Sequence, residues 1–92
     1  MDGSLSEPHY YLGNLAMKRG KVEEAAKHLE EATRLDPKGS RNCYALGRAY
    51  RRLGRSQDAE RQFQRYRELK AEEENAADFV DFLRDNSGEQ ER

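Results

Sequence analysis

Apolar residues recur along this chain every three or four positions, and the pattern then repeats itself. Val22, Ala25, Ala26, Leu29, Ala32 and Leu35 fall on one face of a helix, while Glu23, Glu24, Lys27, Glu30, Glu31 and Arg34 cover the other. Upstream, Tyr11, Leu12, Leu15 and Ala16 form a shorter stripe that predicts a first helix from Glu7 to Arg19. Ser6 ahead of Glu7-Pro8 is a helix-start signal, and Gly20 is a stop, because glycine accepts the left-handed conformation that closes a helix. The second helix, from Val22 to Leu35, ends at Asp36-Pro37, where the proline pushes its predecessor out of the α region. Ser40 is expected to cap a third helix from Arg41 to Leu53, with Tyr44, Ala45, Leu46, Ala49 and Tyr50 as core candidates. Gly54 closes it. Ser56 is expected to cap a fourth, carrying Ala59, Phe63, Tyr66 and Leu69.

The two helix pairs are copies. A shift of 34 residues lays Tyr10 on Tyr44, Leu12-Gly13 on Leu46-Gly47, Gly20 on Gly54, Ala25 on Ala59, Leu29 on Phe63 and Leu35 on Leu69, with no gap. A fixed period of roughly 20–50 residues marks a solenoid, in which each unit buries its apolar face against the next. The connections are too short for anything but antiparallel pairs. Gly13 with Ala25, and Gly47 with Ala59, are the pairs expected where the two helices of each unit cross closely. A mid-helix glycine costs about 0.8–1 kcal/mol against alanine, so its return at the same place points to a packing requirement.

After Leu69 the pattern changes. Lys70-Ala71 replaces the Asp-Pro that closed the first unit, and Glu72-Glu73-Glu74 is polar throughout. Ala76, Phe79, Val80 and Leu83 then form a second narrow apolar face. Asn75 followed by Asp78 favours a break and a fifth helix from Ala76 to Arg84. The alternative is one rod from Ser56 to Arg84 whose Phe79/Val80/Leu83 face docks on another molecule. The resulting plan is all-α with about five helices: a flexible segment 1–6, units 7–39 and 40–73, a capping or dimerising helix 74–85, and a disordered acidic tail 86–92.

Composition narrows the function classes. The chain is 35% hydrophobic and 38% charged, which suits a thin two-layer array in which every helix keeps a wet face. Net charge is −1, but residues 1–71 hold 15 Lys+Arg against 10 Asp+Glu, a balance of +5, and residues 72–92 hold 2 against 8, a balance of −6. A single cysteine, Cys43, excludes an internal disulfide and a cysteine-cluster metal site. No apolar run spans a membrane and Met1 to Glu7 lacks a signal-peptide core, so a cytoplasmic location is expected.

The repeat resembles the tetratricopeptide repeat family. Unit one offers Leu12-Gly13, Ala16, Gly20, Ala25, Leu29, Ala32 and Pro37; unit two offers Leu46-Gly47, Tyr50, Gly54, Ala59, Phe63, Tyr66 and Ala71. The departures are His9 and Cys43 at the tryptophan-like position, Ala16 for the tyrosine, Tyr66 for the second small residue and Ala71 for the proline. The resemblance implies a right-handed α-solenoid with a concave groove lined by the first helix of each unit. Its geometry would place Glu7, Tyr10, Asn14, Met17 and Lys18 of unit one, and Arg41, Tyr44, Arg48, Arg51 and Arg52 of unit two, on that groove.

Arginine forks pair with carboxylates, and tyrosines supply contact area at low entropy cost. The expectation is therefore a non-catalytic scaffold that holds an acidic peptide segment of a protein partner, without a cofactor. Some proteins of the family clamp a terminal carboxylate with lysine and asparagine. Here Asn14 fits, but Tyr10 stands at the lysine and Ala45 at the second asparagine, so the clamp is incomplete. Two units are few, since at least three usually make a stable array. Either this is the C-terminal end of a longer array, or copies associate, as a homodimer through Phe79, Val80 and Leu83 or through the open first helix. Nucleic-acid backbone binding through Arg41, Arg48, Arg51, Arg52 and Arg55 is the lesser alternative, opposed by the acidic tail. His9 and His28 have no carboxylate at ligand spacing, so no metal is expected. Glycines follow helix ends and not phosphate-loop spacing, and no catalytic constellation stands out.

Overall fold

A computed structural model describes the backbone of residues 5–89, and the side chains of residues 5–76 and 83. Among the described residues there are four helices and no strands: α1 (Ser6–Lys18), α2 (Val22–Leu35), α3 (Ser40–Arg52) and α4 (Ser56–Glu89). Each helix packs on its neighbour in the chain, and α1 also touches α3. The result is two helical hairpins side by side, with α1 and α3 forming one layer and α2 and α4 the other.

The two units close their first helices in the same way. Gly20 and Gly54 have φ of 78° and 81°, the left-handed region that disfavours a side chain. After α1, the Gly20 amide donates to the Met17 carbonyl and the Lys21 amide to that of Ala16. After α3, Gly54 donates to Arg51 and Arg55 to Tyr50. This paired pattern satisfies carbonyls that the helix end would otherwise strand.

Helix starts differ from expectation. Leu5 and Gly39, not Ser6 and Ser40, occupy the cap positions, and neither makes a side-chain cap bond. Ser6 is instead the first helical residue and is buried. The Gly39 carbonyl accepts the Asn42 and Cys43 amides, while the Ser40 hydroxyl donates to Glu73 Oε2 of α4 at 3.3 Å. The serine that looked like a cap ties two helices together.

The core runs through Ala16, Met17, Ala25, Ala26, Leu29, Ala45, Leu46, Ala49, Tyr50 and Ala59, with Tyr10, Val22, Leu53 and Phe63 packed against it. Gly13 and Gly47 do mark close approaches, but the nearest neighbours are the larger residues. A Cβ on Gly13 would lie 2.6 Å from Leu29 Cγ and only 3.3 Å from the Ala25 carbonyl; one on Gly47 would lie 2.7 Å from Phe63 Cε1. The stripe expected to bury α1 is divided: Ala16 is buried, whereas Tyr11, Leu12 and Leu15 are exposed. Tyr44, a core candidate, is 44% exposed.

The break at Asn75 does not occur. α4 runs through it for 34 residues, about 51 Å, and accounts for a longest dimension of 59 Å. Nothing between Arg55 and Ser87 is a glycine or proline, and Lys70 pairs with Glu73 one turn on. An asparagine inside a helix costs well under 1 kcal/mol, too little to stop a run of good helix formers. The helix also continues into the segment 86–92 expected to be disordered, as far as Glu89. The side chains of Phe79 and Val80 lie outside the described residues; Leu83 is 49% exposed.

Candidate functional site

Repeat symmetry brings equivalent positions of α1 and α3 together. Glu7 and Arg41 are 34 apart, and their side chains meet at 3.3 Å. Tyr10 and Tyr44, Asn14 and Arg48, and Lys18 and Arg52 are the successive pairs along the same two helices. Between them lies an open cleft of about 780 Å³, lined by Tyr10, Tyr11, Asn14, Leu15, Met17, Lys18, Arg41, Tyr44, Ala45, Arg48 and Tyr66. Three of these residues are cationic and four are tyrosines; none is a carboxylate.

Seven of the residues expected on the groove line this cleft: Tyr10, Asn14, Met17, Lys18, Arg41, Tyr44 and Arg48. Arg51 and Arg52 do not. The Arg51 guanidinium lies 5.2 Å from the centre of the Phe63 ring, and Arg52 donates to the Met17 carbonyl at 3.5 Å. Arg52 thereby adds a second donor to a carbonyl that already accepts the Gly20 amide, at the last turn of α1, where a cation also suits the helix dipole. Glu7 stands beside the cleft on Arg41.

Four lining residues were not among the expected ones: Tyr11, Leu15, Ala45 and Tyr66. Tyr66 had a signal in the sequence, because a large ring stands where the repeat places a small residue. Its ring reaches Tyr44 at 5.1 Å between centroids, and Tyr44 in turn lies 5.6 Å from Phe63. On the α1 side, Tyr10 and Tyr11 meet edge to face at 5.4 Å, and the Arg41 guanidinium sits 4.3 Å above the Tyr10 ring. The cleft thus has an aromatic wall on each side. Aromatic pairs of this kind hold their rings rigidly, so less freedom is lost when a ligand packs on them.

A second cleft, about 440 Å³, has a different character. Its lining mixes Glu23 and Glu30 with Lys27 and Arg55, so its charges largely answer one another. Here Tyr50 donates to Glu30 Oε2 at 2.5 Å while Arg55 lies 4.2 Å from the Tyr50 ring. Burial, reinforced by the Glu30 hydrogen bond and charge, pushes the Tyr50 phenol up to about 12. That phenol is a structural donor and stays protonated.

The remaining candidates for chemistry are quiet. Cys43 is fully buried, and burial pushes its thiol above the ordinary range, away from the reactive thiolate. The His9 and His28 rings come within 6.1 Å, but among the described residues no group of three or more His, Cys, Asp or Glu could hold a metal ion. No described helix is long and apolar enough to cross a membrane.

The family profile described as tetratricopeptide repeat matches residues 10–74, more than half of the chain. No curated protein sequence matches it. With two successive helical hairpins, each with a left-handed glycine between its helices, the chain belongs to the tetratricopeptide repeat family. That family is an interaction fold.

Proposed function

We propose that this protein is a protein–protein interaction module whose basic cleft takes an acidic, extended segment of its partner. One observation carries this reading: the cleft gathers Lys18, Arg41 and Arg48 with four tyrosines, and none of its described lining residues is a carboxylate. Cations paired with a ligand's carboxylates would supply charge-assisted hydrogen bonds, and the tyrosine walls would pack its apolar stems. Arg48 is the residue on which the reading turns, since it is exposed on α3 in the middle of the row.

The test is a fluorescein-labelled Glu-rich peptide titrated with the protein and followed by anisotropy. Arg48→Glu is expected to weaken binding about ten-fold or more with an unchanged helical melt. Equal affinity for both proteins removes the reading. An RNA oligonucleotide serves as the competing polyanion; a tighter grip on it, lost steeply with salt, moves the cleft to nucleic acid.

A second reading, self-association, rests on α1. Tyr11, Leu12 and Leu15 are 59%, 46% and 44% exposed, an apolar strip that the described residues leave largely open, with Tyr11 and Leu15 also at the cleft. Sedimentation over a range of concentrations separates a monomeric peptide binder from a module that pairs with its own copies.

A further inference from the structure

The three cations of the cleft are not in the same state. Lys18 and Arg48 make no ion pair and no side-chain hydrogen bond among the described residues. Arg41 is engaged twice over. Its guanidinium lies above the Tyr10 ring at 4.3 Å, and one nitrogen donates to Glu7 Oε2 at 3.3 Å. Stacking uses the face of the guanidinium and leaves the in-plane N–H edge for an acceptor. In this structure that acceptor is Glu7, a carboxylate supplied by the chain itself from the position equivalent to Arg41 in the first unit.

Resting on the reading of the cleft as an acidic-peptide site, we infer that Glu7 is an internal stand-in for a ligand carboxylate, and that the partner is an acidic segment with carboxylates at two separated positions. One carboxylate enters at Lys18 and Arg48, which are open. The other replaces Glu7 on Arg41, which stays fixed on Tyr10 and exchanges one acceptor for another. Both side chains of the Arg41–Glu7 pair are about half exposed, so the pair is weak and exchangeable. The consequence is a selectivity rule. A ligand with a single acid uses only the open subsite and ignores Glu7. A ligand with two competes with Glu7 and is penalised by it.

The experiment uses two labelled peptides in the same neutral context, one with a single Glu and one with two separated Glu. Glu7→Gln is expected to tighten the two-Glu peptide about three-fold and leave the one-Glu peptide unchanged. The gain is expected to vanish when Arg41 is also changed to Gln. Glu24→Gln, which removes another exposed carboxylate, on α2, is expected to give no gain. If Glu7→Gln changes neither affinity while Arg48→Glu still weakens both, the stand-in role is wrong and the acidic-peptide site stands. If Glu7→Gln tightens both peptides alike, or Glu24→Gln does the same, only net charge is at work and the inference falls. If Arg48→Glu has no effect, the acidic-peptide site itself is wrong.

Discussion

Leu12 and Leu46 hold the same place in the two units, yet Leu12 is 46% exposed and Leu46 is 2% exposed. The contrast extends along both helices. Tyr11 and Leu15 are exposed, whereas their counterparts Ala45 and Ala49 are buried. The helices have nearly the same sequence pattern, so the difference lies in what covers them. α3 has α2 on one side and α4 on the other, while α1 has α2 alone as its second-layer neighbour. In a linear array a residue's burial is set by its neighbour unit as much as by its own helix. The side chains respond: where α2 presses on α3 the residues are alanines, and on the open face of α1 they are a tyrosine and a leucine.

Truncation of the covered leucine is expected to have the largest effect. Leu46→Ala removes a fully buried side chain between two helices and is expected to cost about 2–5 kcal/mol, measured by chemical denaturation. Stability of a small domain is only about 5–15 kcal/mol, so the variant sits near unfolding at physiological temperature. A loss under 1 kcal/mol would mean that α2 and α3 do not interlock as described.

The two close-approach glycines sharpen the same comparison. In Gly13→Ala the new methyl meets Leu29, which is fully buried and cannot withdraw. In Gly47→Ala it meets the ring of Phe63, which is only partly buried and can tilt. Overpacking costs about 1–3 kcal/mol, against about 1 kcal/mol gained by replacing a helical glycine. Gly13→Ala is therefore expected to lose about 1–2 kcal/mol and Gly47→Ala clearly less. The reverse order would show that unit one, not unit two, is the more loosely closed.

Tyr50 has no counterpart in unit one, where Ala16 stands. Its neutral phenol is the form held by the fold, through Glu30. The folded value of about 12 lies above the ordinary value near 10, so this contribution is complete below pH 10 and is lost as pH rises from 10 towards 12. Phenolate absorbance of the folded protein is expected to show a late step, near pH 12, that belongs to Tyr50. Tyr50→Phe should abolish that late step and cost about 1 kcal/mol. An unchanged titration would remove the Tyr50–Glu30 bond from the account.

The repeat was legible because it is written in small and turn residues whose positions backbone geometry fixes. Leu-Gly, the closing glycine and the alanine of the second helix leave few alternatives for how a hairpin closes. The length of α4 was less legible, because Asn75 and Asp78 satisfy the local rule for a helix start while nothing nearby supplies a stop. Local preference worth a few tenths of a kcal/mol yields to an uninterrupted run of helix formers. The cleft was readable in part. Residues on α1 and α3 could be placed by register, but Tyr66 reaches it from α4. The diversion of Arg51 to Phe63 and of Arg52 to the Met17 carbonyl depends on neighbours that only the folded chain supplies.

The smallest expected effect is the one that tests the comparison most severely. Leu12→Ala removes the same atoms as Leu46→Ala from a site that remains half open to water. If α1 is uncovered in solution, the change is expected to fall within about 0.5 kcal/mol of zero, because little transfer free energy is lost and no cavity forms. If the loss instead approaches that of Leu46→Ala, something covers α1 in solution, either another copy of the chain or another part of the same one. The two cases differ in concentration dependence: an unfolding midpoint that rises with protein concentration belongs to an associating protein, and a fixed midpoint to a monomer. Leu15→Lys resolves them further. On an open face a lysine in place of an exposed leucine is nearly neutral, whereas within a copy-to-copy contact it buries a charge and returns the protein to monomer. A small, concentration-independent effect at Leu12 together with a large one at Leu46 leaves α1 as the free edge of the array.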